Sequence, residues 1–167
     1  MNVFEPQDRF DRVVSVEMLE HMRNPEALLR RVAGWLKPDG LLFVHVFCHK
    51  EFAYLFETDG EVDWMARYFF TGGMMPSRQL LPALDSGLRL KKEWAVNGVH
   101  YARTLRAWLD RLDAKKQEVL ALFRDVYGQD APLWLRRWRL FLIACEELFR
   151  YGNGNEWFVA HYLMERA

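Results

Sequence analysis

Two apolar runs without helical period flank a segment whose apolar residues do recur at helical spacing, and this alternation limits the fold more than any other feature of the chain. The first run, Val13-Val14-Ser15-Val16, is short and β-branched, the pattern of a buried strand. Asn24-Pro25 then has the form of a helix start, with Asn24 as cap and Pro25 at the first helical position. Leu28, Leu29, Val32, Trp35 and Leu36 follow on one helical face, and Lys37-Pro38-Asp39-Gly40 carries the turn chemistry that stops a helix. Residues 41–47, Leu-Leu-Phe-Val-His-Val-Phe, are apolar almost throughout, as expected of a central parallel strand covered on both faces. Strand, helix, turn and strand make a βαβ unit, and such crossovers are right-handed.

Residues 48–75 are less regular. An aromatic stretch, residues 63–70, predicts a short helix broken by Gly72-Gly73, and Pro76-Ser77 predicts a second helix through about Leu84. Leu88–Val96 reads as a strand, residues 101–112, 114–127 and 132–151 as helices, and residues 157–164 as a last strand after the turn Gly152-Asn153-Gly154-Asn155. This order fits the second half of a doubly wound α/β sheet with a helical block near the C-terminus. A matching first half is not visible. With 167 residues and no internal repeat or linker, the chain is expected to form one domain over residues 1–167.

Composition excludes some functions. The 23 Lys+Arg balance 23 Asp+Glu, so no electrostatic ground exists for nucleic acid or an anionic membrane as main partner. Cys48 and Cys145 form neither a disulfide framework nor a metal-ligand pattern, and a reduced, cytoplasmic setting follows as the expectation. No apolar run approaches the ~20 residues that cross a bilayer. The opening Met1-Asn2-Val3-Phe4-Glu5-Pro6 lacks the layout of a signal peptide.

Chemistry concentrates where the first strand ends, at Glu17, Glu20 and His21. Ligands of open α/β sheets bind outside the carboxyl ends of the strands, so these groups are either candidate chemistry or a solvated strand-to-helix loop. His45, inside an apolar strand, is either a satisfied core residue or a strand-end functional group. Trp64, Tyr68, Phe69, Phe70, Trp157 and Phe158 are aromatics for a core or for the wall of an acceptor pocket. Arg136, Arg137 and Arg139, beside Trp134 and Trp138, suit a solvated basic face or a peripheral contact with lipid headgroups.

Several stretches resemble class I S-adenosylmethionine-dependent methyltransferases of the cyclopropane-fatty-acyl-phospholipid synthase family, and within it the coclaurine N-methyltransferase-like branch. They are residues 10–22, residues 35–45, Phe47-Cys48-His49-Lys50, residues 64–73 (Trp-Met-Ala-Arg-Tyr-Phe-Phe-Thr-Gly-Gly), Met75-Pro76-Ser77, residues 97–101 and residues 156–161. The resemblance implies S-adenosyl-L-methionine as cofactor and a Rossmann-like sheet of which this chain holds strands four to seven. The family's glycine-rich cofactor loop has no counterpart here, so the cofactor-binding half is expected upstream of Met1 and the chain alone is expected to be inactive; the alternative is a non-catalytic remnant that serves as an interaction or structural piece. The first strand then lacks a neighbour, and self-association through its exposed edge is expected.

The resemblance also assigns residues. In coclaurine-type enzymes Glu-x-x-Glu-His lies beside the acceptor nitrogen, which implies that Glu20 and His21 accept or relay a proton. Glu17 would hold the ammonium or orient the imidazole. Cyclopropane synthases instead act on unsaturated phospholipid acyl chains and hold a bicarbonate, whose ligands match Glu20, His45 and Tyr101 with the backbone of Phe47. Phe47, Phe69, Phe70, Trp157 and Phe158 are the residues expected to meet substrate. No metal is implied. His49 is read as a surface residue with a smaller claim on function, His100 and His161 as structural, and Cys48 as a buried small hydrophobe.

Overall fold

The computed structural model describes residues 4–58 and 63–167; residues 1–3, read above for a targeting segment, lie outside them. The chain divides into two compact units, Met1–Val96 with Val159–Ala167, and Asn97–Phe158.

The first unit is built on a four-stranded sheet of order β1-β2-β6-β5. Strand β1 (Phe10–Val16) runs parallel to β2 (Leu36–His49), with Val14 opposite Phe43 and Val16 opposite His45. Between them runs α1 (Pro25–Trp35), capped as anticipated: the Asn24 side chain accepts from the Ala27 N–H at 3.0 Å. Helix α1 buries Leu28, Leu29, Val32 and Ala33, while the even residues of β2, Leu42, Val44, Val46 and Cys48, are all almost wholly buried. Each such leucine or valine contributes about 1.5–3 kcal/mol on leaving water.

Lys37-Pro38-Asp39-Gly40 does end the helix, but it does not precede the strand. Leu36 already pairs with Phe10 and Leu41 with Arg12, so the four residues loop out of β2 as an irregularity in the ladder.

Short elements follow: β3 (Tyr54–Leu55), α2 (Trp64–Tyr68), β4 (Met74–Met75) antiparallel to β3, and α3 (Leu80–Ala83). The helix expected from Pro76 begins only at Leu80. Pro76 and Ser77 are instead drawn to the sheet, where the Pro76 carbonyl accepts from the His49 N–H at 2.9 Å. Strand β5 (Leu88–Val96) matches its predicted span and pairs antiparallel with β6 (Trp157–Arg166). The hydroxyl of the fully buried Tyr162 on β6 donates to the Arg78 carbonyl at 2.7 Å. Strand β1 closes the sheet on one side, and its Val14 and Val16 side chains are 65 % and 56 % exposed.

The second unit consists of α4 (Gly98–Ala114), α5 (Lys116–Tyr127) and α6 (Ala131–Gly154), with a single 3-10 turn, Gly128–Asp130, before α6. Ala102, Leu105, Leu109, Leu135, Leu142, Cys145 and Phe149 form its core. The side chain of Asn97 caps α4 by accepting from the Val99 N–H at 2.9 Å. Helical geometry ends at Tyr151, and Gly152 and Asn153 both take positive φ, 58° and 56°. Glu146, 2 % exposed, lies between Arg106 (2.7 Å) and Arg150 (2.5 Å). Of the arginines singled out on α6, Arg139 pairs with Asp113 at 2.5 Å, and Arg137 lies 4.9 Å over the Trp134 ring. No helix among the described residues is long and apolar enough to cross a membrane.

Candidate active site

At the carboxyl end of β1 the backbone turns sharply. Glu17 has φ of 48°, a left-handed conformation that a side chain adopts at a cost, while its N–H still donates to the His45 carbonyl at 3.0 Å. A single 3-10 turn, Leu19–His21, follows and buries Leu19 and Glu20. Gly73 passes close beneath it: a β-carbon there would stand 2.6 Å from the Glu20 carbonyl oxygen, so only glycine fits. Gly73 therefore packs the 3-10 turn, and α2 has already ended at Tyr68, before the glycine pair expected to break it.

Glu20 is 1 % exposed, and its Oε2 has no hydrogen-bond partner among the described residues. Burial pushes its pKa up to about 7, with the charge of Glu17 adding to the rise against the opposing pull of its own backbone N–H. A carboxyl poised there exchanges a proton readily near neutrality. His21, roughly half exposed, stands 3.9 Å from Glu20 and stacks on Phe70 at 5.8 Å. It also borders an open cavity of about 620 Å³ lined with Met22, Asn24, Leu28 and Arg31.

On the neighbouring strand, His45 Nε2 lies 2.9 Å from Glu17 Oε1, and His45 Nδ1 lies 2.9 Å from Nε2 of His161 on β6. Burial lowers the pKa of both imidazoles, and the proximity of His45 lowers that of His161 further. Phe43 packs on His161 at 5.2 Å.

Among the expected substrate-facing aromatics, Phe70 is the hub. It stacks on Phe56 at 5.0 Å and meets Phe47 edge-on at 5.8 Å, while Phe69 packs on Trp64 at 6.0 Å. Phe47 is buried. Tyr101, Trp157 and Phe158 belong to the helical unit, where Tyr101 packs on Phe149 at 4.5 Å and Trp157 on Tyr151 at 5.7 Å. Phe158 is buried.

His49 is a correction. It is 4 % exposed rather than on the surface, and its Nδ1 accepts from the N–H groups of Glu51 and Phe52, which shapes the turn after β2. Cys48 is buried as expected, its thiol pushed up to about 12 by burial. Phe56 has no place in the sequence reading, and His161, expected there to be structural, faces His45. Nothing in the spacing marks Phe56. For His161 the available signal is the period-2 pattern of the last strand, which sets it on one face with Trp157 and Leu163.

A nucleoside cofactor needs a close backbone cradle. Helix α1 opens on Asn24-Pro25, and among the described residues no glycine-rich turn joins a strand end to a helix start.

The class follows from the fold, which is that of class I S-adenosyl-L-methionine-dependent methyltransferases. A coclaurine N-methyltransferase bound to N-methylheliamine and SAH superposes with a TM-score of 0.89 at 34 % identity, covering 98 % of this chain and 48 % of that one. A cyclopropane synthase from Mycobacterium tuberculosis shares the fold with a TM-score of 0.76 at 23 % identity, over 95 % of this chain and 56 % of the other. The family model of mycolic acid cyclopropane synthetase matches residues 2–158, and the chain belongs to that family. Among curated relatives, (S)-coclaurine N-methyltransferase of Thalictrum flavum subsp. glaucum is 38 % identical over 164 residues, 95 % of this chain and 45 % of the relative. Cyclopropane-fatty-acyl-phospholipid synthase of Escherichia coli K12 is 30 % identical over 153 residues, 90 % of this chain and 37 % of the relative. The chain spans less than half the length of these curated relatives, 45 % and 37 %.

Proposed function

We propose that this chain supplies the acceptor side of an S-adenosyl-L-methionine-dependent N-methyltransferase acting on a small amine. The observation that carries the reading is Glu20: a carboxyl 1 % exposed, unpartnered at Oε2 and poised at about 7. An amine attacks only through its free lone pair, so its ammonium form must first give up a proton. Glu20 takes that proton, His21 at 3.9 Å passes it towards solvent, and Glu17 stays anionic to attract the incoming cation. Phe70, stacked on His21, forms an apolar wall that limits water at the nitrogen. S-adenosyl-L-methionine supplies the electrophilic methyl group in this class of enzyme.

Likeness to coclaurine N-methyltransferases, stronger than that to cyclopropane synthases, favours an amine over an unsaturated acyl chain. The decisive experiment incubates the natural gene product with labelled S-adenosyl-L-methionine and either a benzylisoquinoline-type amine or an unsaturated phospholipid. Label in the amine, rising with pH through about 7 as Glu20 ionises and absent in Glu20→Gln, is the expected result. Label in the phospholipid would replace this reading with cyclopropane formation.

For the 167 residues alone, we propose neither turnover nor tight cofactor binding, since no glycine-rich cradle lies among the described residues. Calorimetry that detects tight binding of S-adenosylhomocysteine would overturn this. The exposed Val14 and Val16 on β1 support self-association of the isolated chain. A monodisperse monomer in analytical ultracentrifugation would count against it.

A further inference from the structure

Three side chains from three successive strands of the first sheet, Glu17 after β1, His45 on β2 and His161 on β6, stand in line with 2.9 Å between each pair of facing atoms. The order of donors follows by elimination. An ionised carboxylate only accepts, so a hydrogen on His45 Nε2 makes its 2.9 Å approach to Glu17 Oε1 attractive, although the angle there lies outside hydrogen-bond geometry. A neutral imidazole has one N–H, so His45 Nδ1 is then an acceptor, and the facing Nε2 of His161 donates to it. Burial favours the neutral form of His45, in keeping with this assignment.

We infer that His161 is a positioning residue: by donating to Nδ1 of His45 it fixes the Nε2–H tautomer and ring orientation with which His45 faces the Glu17 carboxylate. Its catalytic consequence rests on the acceptor site proposed above, since Glu17 is there the fixed negative charge beside Glu20.

The surroundings suit a held ring more than a mobile one. Phe43 covers His161 from β2, and Trp94 on β5 is its cross-strand partner, itself capped by Lys92 Nζ at 4.9 Å. Without His161, the His45 ring keeps one anchor and can turn over to present either nitrogen.

Long-range proton–nitrogen NMR of the imidazoles tests this in the 15N-labelled chain, with neither cofactor nor amine present. The unaltered chain should show His45 as a single Nε2–H tautomer. His161→Leu should replace that single set of signals with exchanging tautomers, and His161→Gln, whose amide N–H can reach Nδ1, should restore it. A hydrogen on Nδ1 of His45 in the unaltered chain overturns the inference, as does an unchanged His45 spectrum in a folded His161→Leu. Should His161→Leu fail to fold, the tautomer of the unaltered chain still decides. Failure of amine methylation would remove the proposed function and leave this result untouched, so the two readings fall separately.

Discussion

Glu20 at the end of the first strand and Glu146 in the helical unit are 1 % and 2 % exposed, and they live in opposite company. Glu146 lies between two guanidinium groups, from Arg106 and Arg150, so its charge is compensated where it sits. Among the described residues no guanidinium pairs with Glu20: the carboxylate of Glu17 adds to its raised pKa, and the imidazole of His21 stands 3.9 Å away. Equal burial therefore produces a fixed ion cluster in one region and a carboxyl poised to exchange its proton in the other. The difference teaches that burial alone identifies no site. What matters is whether the fold also supplies a counter-charge.

The comparison can be broken most forcefully by stripping Glu146 of its partners. Arg106→Leu combined with Arg150→Leu should cost about 3–5 kcal/mol at neutral pH, measured as a lower urea midpoint, because a buried anion is left uncompensated. A double variant as stable as the parent at neutral pH would mean that the two glutamates do not differ as described.

The converse change, Glu20→Gln, should stabilise the chain by about 3 kcal/mol above neutral pH. The sign follows from a folded pKa of about 7 against the ordinary glutamate value of 4.5. The protonated form favours the fold, so this contribution is complete below the lower value and is lost as pH rises to the upper one. Thermal unfolding from pH 4 to pH 8 should show the parent losing stability across that window relative to Glu20→Gln. Parallel curves would refute the shift.

Gly73→Ala should cost about 1–3 kcal/mol by pushing the turn that carries Glu20, read by denaturant unfolding together with displaced amide signals of Leu19–His21. The smallest effect belongs to Arg139 and Asp113, each 41 % exposed. A double-mutant cycle there should return no more than ~1 kcal/mol, as exposed pairs do.

The α/β unit was readable because its signals are local. Asn24-Pro25 capped α1 where anticipated, and the apolar runs became β1 and β2. Leu88–Val96 held its span as β5. The looped-out Lys37-Pro38-Asp39-Gly40 was not readable, since a turn signal cannot reveal that the residue before it already pairs with a neighbouring strand. The same holds for Pro76-Ser77, whose helix-start pattern lost to pairing with the end of β2.

At the site, Glu17, Glu20 and His21 are adjacent in sequence and stood out together. His45 facing Glu17 and His161 depends on strand order, with 116 positions separating the two histidines, and no spacing rule spans that distance. Burial of Glu20 without a cation was equally invisible, because the Gly73 backbone that packs against its turn comes from far along the chain.

The looped-out segment offers a practical opening. Lys37, Pro38 and Asp39 are exposed, and they leave β2 at the end of the strand remote from His45. A fluorophore or short reporter peptide spliced there would extend a bulge that the ladder already accommodates. The chain could thus be followed through folding or assembly with its acidic edge left unlabelled.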